Sequence, residues 1–136
     1  MGKVQHRPIL RVKNLVKTYD GVNVVDSISF EVEKGEIFGI LGPNGAGKTT
    51  TLEMLEALRP IDGGEATLSG IDIKKHPEKI KALIGVQPQS PSFEEKTKLT
   101  ELIEFFSSTY GEKVDAMSFL KEVQLEEKAS SYVENL

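Results

Sequence analysis

Residues 39–55 read GILGPNGAGKTTTLEML, in which Gly42 is followed by four residues and then by Gly47, Lys48 and Thr49. Glycines at this spacing, with Gly45 between them, let a backbone approach an anion with no Cβ in the way. Successive N–H groups then turn inward and form a nest for phosphate. A lysine directly after the last glycine brings a positive charge to the β- and γ-phosphates, and the next hydroxyl, on Thr49, is placed to ligate Mg²⁺. Pro43, Asn44, Ala46 and Thr50 complete the loop. The chemistry within reach is the binding of a nucleotide through its phosphates.

Such a loop works only between a strand and a helix. The short apolar run Ile37–Leu41 predicts a strand covered on both faces, as in a parallel sheet. Leu52, Leu55 and Leu58 recur every third residue and predict a helix from about Lys48, closed by Arg59-Pro60. The positive end of that helix faces the loop. Upstream, Leu10 and Val12 alternate with polar residues, Asp20-Gly21 signals a hairpin, and Ile28, Phe30 and Val32 repeat with a period of two. Lys34-Gly35 turns the chain. Downstream, Asp62-Gly63-Gly64 leads into a strand over Ala66–Leu68, and Gly70 breaks it before Ile71 and Ile73. Pro77 opens a short helix to about Leu83, and 84–86 reads as another buried strand.

From Glu94 the pattern changes. Leu99, Leu102, Ile103, Phe106 and Tyr110 share one helical face, Ala116, Phe119, Leu120 and Val123 a second, and Leu125, Ala129, Tyr132, Val133 and Leu136 a third. Three consecutive amphipathic helices are expected, with a subdomain boundary near Ser90-Pro91-Ser92.

The rest of the composition narrows the setting. The chain has 136 residues, 38% apolar and 28% charged, which suits one globular domain. A net charge of −4 gives no reason to expect nucleic acid as a partner. The absence of cysteine excludes disulfides and thiolate metal sites. No apolar run approaches the ~18 residues of a membrane span, and no secretory signal is visible. Met1-Gly2 starts like a myristoylation site, but His6 stands where Ser or Thr is needed. His76, before Pro77, reads as a surface loop residue. A cytoplasmic protein is expected.

The spelling GPNGAGKTT resembles the ATP-binding subunits of ABC transporters, and so do LVKTYDGVNVVDSISFEVEKGEIFGIL before it and IDGGEATLSGIDI and IGVQPQS after it. The resemblance covers residues 9–136 in order and is strongest to multidrug and ABC-2-type exporters. It implies an α/β P-loop NTPase fold of the ABC ATPase type. Residues 1–93 would form the N-terminal β-subdomain and part of the nucleotide-binding core, and 94–136 the start of the helical subdomain. It implies ATP and Mg²⁺ as ligands. Tyr19 matches the aromatic that stacks on adenine, although by itself a tyrosine at a strand end reads as edge packing. Val24 matches the apolar contact beside the base or is a plain strand residue. Gln89, favoured over Gln87 by the frame I-G-x-x-x-Q-S, matches the glutamine that touches Mg²⁺ and the attacking water; with Lys48 it would serve the catalytic step. The implied partners are a membrane-spanning subunit and a second ATP-binding subunit docked head to tail, on the inner face of the cell membrane.

Other parts of the family pattern do not occur in these 136 residues. There is no Ser-Gly-Gly-Gln, no run of four apolar residues ending in Asp-Glu, and no histidine after them. The final SYVENL matches the approach to the family's signature, so the expectation is an incomplete domain that binds nucleotide without turning it over. The runner-up is part of an ABC ATPase of DNA repair or translation. A GTPase is disfavoured, because Asn-Lys-x-Asp is missing.

Overall fold

A computed structural model of the chain describes residues 7–87 and 96–135. Two compact units divide the chain between Val86 and Gln87. The subdomain boundary expected after residue 93 lies outside the described residues.

The first unit is built on a four-stranded antiparallel sheet. Strands β1 (Leu10–Tyr19), β2 (Val22–Val32), β3 (Gly63–Leu68) and β4 (Ile71–Asp72) lie in the order β2-β1-β3-β4. Asp20 and Gly21 both take positive φ, 48° and 78°, which is the turn that joins two right-twisted strands tightly. Ser69 and Gly70 repeat it between β3 and β4.

Simple alternation fails along β1. Val12, Leu15 and Lys17 are all buried, although the first two are three residues apart. The register explains it: Val12 faces Phe30 and Leu15 faces Ile28, so β1 carries an extra residue at this point. Asn14, at φ 47°, forms this bulge, and its N–H donates to Ser29 Oγ at 2.8 Å. The bulge pushes two carbonyls toward β3. Gly64 crosses there at φ 80°, and a Cβ would overlap the oxygens of Lys13 and Asn14.

The core of this unit gathers Val12, Leu15, Val25, Met54, Ile61, Ala66, Ile73 and Ile80. Helix α1 (Lys48–Leu55) enters it through Met54 and Thr51. Leu52 and Leu58, two of the three leucines that marked the helix, are exposed. The helix also stops at Leu55, five residues before Pro60. Ala57, at φ 56°, lets its own N–H donate to Met54 O (3.2 Å) and the N–H of Leu58 donate to Glu53 O (2.9 Å), closing a left-handed C-terminal turn. The short helix α2 (Pro77–Lys81) starts at its proline as expected and seals the core with Ile80.

Two expected strands are absent. Residues 37–41 and 84–86 form no strand, and the first run is not covered on both faces: Ile37 is 100% and Leu41 95% exposed. A strand exists by pairing, and among the described residues no strand lies beside either run. Phe38 is held by stacking on Phe30, with ring centroids 5.0 Å apart.

The second unit contains α3 (Leu99–Thr109) and α4 (Ala116–Glu122). Glu101 accepts from the N–H of Lys98 at 2.9 Å, and Asp115 from that of Met117 at 3.2 Å, so each start is capped. Leu99, Ala116 and Leu120 are buried; Phe106, Tyr110, Phe119 and Val123, expected on the inner faces, are exposed. The third expected helix is replaced by two short 3₁₀ turns, Glu126–Lys128 and Val133–Asn135. Gln124 at φ 58° ends α4, and the backbone after it is taken up by the start of α3. Ser131 O accepts from Leu99 N (3.1 Å), and Val133 N donates to Thr97 O (2.9 Å).

Candidate nucleotide-binding site

The glycine-rich loop has the backbone that its sequence requires. Gly45 and Gly47 take φ 82° and 85°. At Gly47 a Cβ would also run into the carbonyl oxygen of Val24, so the loop is pressed against β2 at that point. This contact brings Val24, itself half-buried, to the loop. At Gly42 a Cβ would lie 3.3 Å from that of Ala46, tighter than ordinary contact.

Gly47 is also the N-terminal cap of α1. No side chain caps this end, and no acidic residue stands in the first turn. The first N–H groups of the helix therefore present an open positive end. Thr51, buried, ties the turn to the loop. Its N–H and its hydroxyl both donate to Gly47 O, at 2.8 and 2.9 Å.

Lys48 folds back over the loop. Its Nζ donates to Gly42 O and to Pro43 O, both at 2.7 Å, and Pro43 O also accepts from Ala46 N at 3.2 Å. Asn44 and Thr49 are exposed, and Thr50 is half-buried. The ammonium charge, the positively oriented helix end and the Cβ-free turn lie together in one stretch of chain, residues 42–51. This donor set fits a phosphate chain, and the free hydroxyl of Thr49 beside it fits a magnesium ligand.

Tyr19 closes β1 and is 38% exposed. Its hydroxyl accepts from Arg59 Nη1 at 2.5 Å, and Lys17 Nζ lies 5.4 Å from the ring centroid. Lys17 is only 6% exposed and donates to Pro60 O and Asp62 Oδ1, both at 2.9 Å. Asp62 accepts in addition from the N–H of Thr18 at 2.9 Å. That backbone donor first, then Lys17, holds the Asp62 carboxyl below the usual carboxylate range. Glu56, near the end of α1, is shifted the other way by burial and by repulsion from Glu53.

Gln89 lies outside the described residues, as does His6. Sequence reasoning missed Lys17, Thr51, Glu53 and Arg59. Lys17 sits among alternating strand residues as any exposed lysine would, and only the bulge at Asn14 turns it inward. Nothing in Thr49-Thr50-Thr51 distinguishes the threonine that bonds backward.

Comparison with known proteins bears on this geometry. The ABC transporter family matches residues 25–136. The chain is 38% identical over 131 residues to the linearmycin resistance ATP-binding protein LnrL of Bacillus subtilis (strain 168), covering 93% of this chain and 42% of that protein. It is 37% identical over 134 residues to the Nod factor export ATP-binding protein I of Ralstonia nicotianae, covering 95% and 42%. The daunorubicin/doxorubicin resistance ATP-binding protein DrrA of Streptomyces peucetius is 41% identical over 92 residues, 68% of this chain and 28% of its own. A solved ATP-binding subunit of an ABC transporter superposes with a TM-score of 0.79 at 28% identity, over 94% of this chain and 55% of that one. The chain thus spans about two fifths of the length of LnrL and of protein I.

Proposed function

This chain belongs to the ABC transporter family, and we propose that it binds ATP with Mg²⁺ at residues 42–50 as part of an ATPase subunit that drives export. The observation that carries the reading is the Lys48 ammonium, 2.7 Å from two loop carbonyls at the open end of α1. A phosphate oxygen offers that ammonium a charged acceptor in place of two neutral ones.

In this reading the backbone N–H groups of Gly42, Asn44, Gly45, Ala46 and Gly47 wrap the phosphates, and Pro43, which has no N–H, fixes the turn between them. Lys48 neutralises the β- and γ-oxygens, and Thr50 supports the first helical turn. Thr49, with Gln89, ligates the metal, and Gln89 orients the attacking water. Tyr19 stacks on the base, and Val24 lines its edge. The anhydride of ATP supplies the free energy; this chain binds and orients it. With no second acidic motif in the 136 residues to polarise water, binding without turnover is the behaviour proposed for the chain alone.

Residues 1–93 are proposed as the β-subdomain and nucleotide-binding core, and 94–136 as the start of a helical subdomain that meets a membrane-spanning subunit. A second ATP-binding subunit would pair head to tail. The setting is the cytoplasmic face of a membrane; among the described residues no helix is long and apolar enough to cross one. Relatives named for export and resistance support transport over DNA repair or translation.

Isothermal titration with ATP, ADP and GTP, each with and without Mg²⁺, tests the site. Lys48→Ala is expected to lower ATP affinity at least about tenfold, because it removes a charge-assisted contact. Its melt should not change, since Nζ touches only exposed loop carbonyls. Equal ATP affinity in variant and parent would remove the loop from the binding site.

A further inference from the structure

Arg59 makes contacts that no phosphate-loop or base-stacking role requires of it. It follows the left-handed turn that ends α1, and its backbone N–H donates to Glu53 O at 3.0 Å. Its Nε and Nη2 both meet Glu53 Oε2 at 2.6 Å. Its Nη1 donates to the hydroxyl of Tyr19, forty residues earlier in the chain, at 2.5 Å. The guanidinium carbon lies 5.7 Å from the Tyr19 ring centroid. One planar fork is thus fixed on α1 at its base and grips Tyr19 at its tip.

The neighbouring residues act in the same direction. Pro60 and Asp62, immediately after Arg59, hold Lys17 Nζ, which lies 5.4 Å from the same ring. The segment that leaves the phosphate-loop helix therefore restrains the Tyr19 ring at its hydroxyl and from over the ring. Since α1 starts at Lys48, a rigid path runs from the phosphate cradle along the helix to Glu53, Arg59 and Tyr19.

We infer that Arg59 is a positioning residue, which holds the Tyr19 ring at a fixed place relative to the phosphate cradle so that base and phosphates of one nucleotide are met together. A ring already fixed loses no rotamer freedom when a base stacks on it, so the restraint raises affinity without adding a contact. It also explains why the aromatic carries a hydroxyl, which stacking alone does not need. The inference rests on the reading of Tyr19 as the adenine platform.

The test is titration of the full chain with Mg·ATP and with Mg·tripolyphosphate, which has the phosphates and no base. Arg59→Ala and Tyr19→Phe are each expected to weaken ATP about three- to tenfold, the range of one ordinary intramolecular hydrogen bond. Both should leave tripolyphosphate unchanged, and the double variant should be no weaker than either single one. Tyr19→Phe removes only an oxygen, so it decides the matter even where Arg59→Ala fails to fold. Equal losses on both ligands would make Arg59 a support of the loop and overturn the inference. So would ATP binding by both variants at the parent's affinity while Tyr19→Ala weakens it. If Tyr19→Ala itself leaves ATP unchanged, the platform reading falls, and the inference falls with it.

Discussion

Gly47 lies against the carbonyl oxygen of Val24, with no room for a Cβ between them. This contact joins the phosphate loop to the sheet. It also separates two glycines that look alike in the sequence. Gly45 has nearly the same positive φ, but a Cβ there would meet nothing within 4 Å. Gly45→Ala should therefore lose only the strain of a left-handed alanine, about 1 kcal/mol. Gly47→Ala should lose that and the packing on β2, about 2–3 kcal/mol together, and should also lose ATP binding. Urea midpoints of the two variants check the difference. Equal destabilisation would mean that the loop is free of β2 in solution.

The end of α1 makes an opposite prediction, a gain. Ala57 occupies at φ 56° the position where helices most often place glycine. Ala57→Gly should relieve the strain and stabilise the chain by about 1 kcal/mol, less the added freedom of the unfolded state. A thermal melt reads it directly. A loss would mean that the half-buried methyl group of Ala57 packs more favourably than its backbone is strained.

The features legible in the sequence were those set by neighbours a few residues apart. The Asp20-Gly21 hairpin, the proline start of α2 and the glycine conformations of the loop all follow from local sterics. What was not legible depends on distant partners. The bulge at Asn14 exists because β1 must fit β2 and Gly64 of β3 at once, and it alone turns Lys17 inward. The run 37–41 has the residues of a buried strand, but no described strand pairs with it. Gln124 carries no obvious stop signal, yet its left-handed turn ends α4 and removes the expected third helix. In the sequence Arg59 stands out only as the residue before a proline, because its partners Glu53 and Tyr19 lie on other elements.

Asp62 gives a pH dependence with a definite sign. The Thr18 N–H and the Lys17 ammonium hold its carboxyl below its ordinary value. The unfolded chain then takes up the proton more readily than the folded one. The stabilisation is complete above the ordinary aspartate range, about pH 4, and is lost as pH falls through the depressed value. Asp62→Asn should flatten the acid limb of the stability profile. At neutral pH it should also be less stable than the parent, because Lys17 stays buried without its carboxylate. Melting temperatures between about pH 7 and pH 2 would sink this account if parent and variant ran parallel.

The exposed apolar run predicts association. Ile37 and Leu41 are almost wholly open to water, and Leu83 and Val86 are about half open. Residues 37–41 also have strand-forming side chains on a backbone with no strand beside it among the described residues. Open apolar surface next to an unpaired backbone is the condition under which two chains pair edge to edge. The neighbouring loop does not prevent this, since its only charged residue, Lys48, is turned back onto Gly42 and Pro43. The chain is therefore expected to elute from a sizing column with a mass that rises with concentration when read by light scattering. Ile37→Lys with Leu41→Lys should lower that mass, because two like charges must then approach at the paired edge. The same substitutions should leave the melting of the sheet unchanged, as neither side chain enters its core. A monodisperse monomer at every concentration, with a sharp cooperative melt, would mean that the run is covered in solution by a part of the chain that leaves it open here.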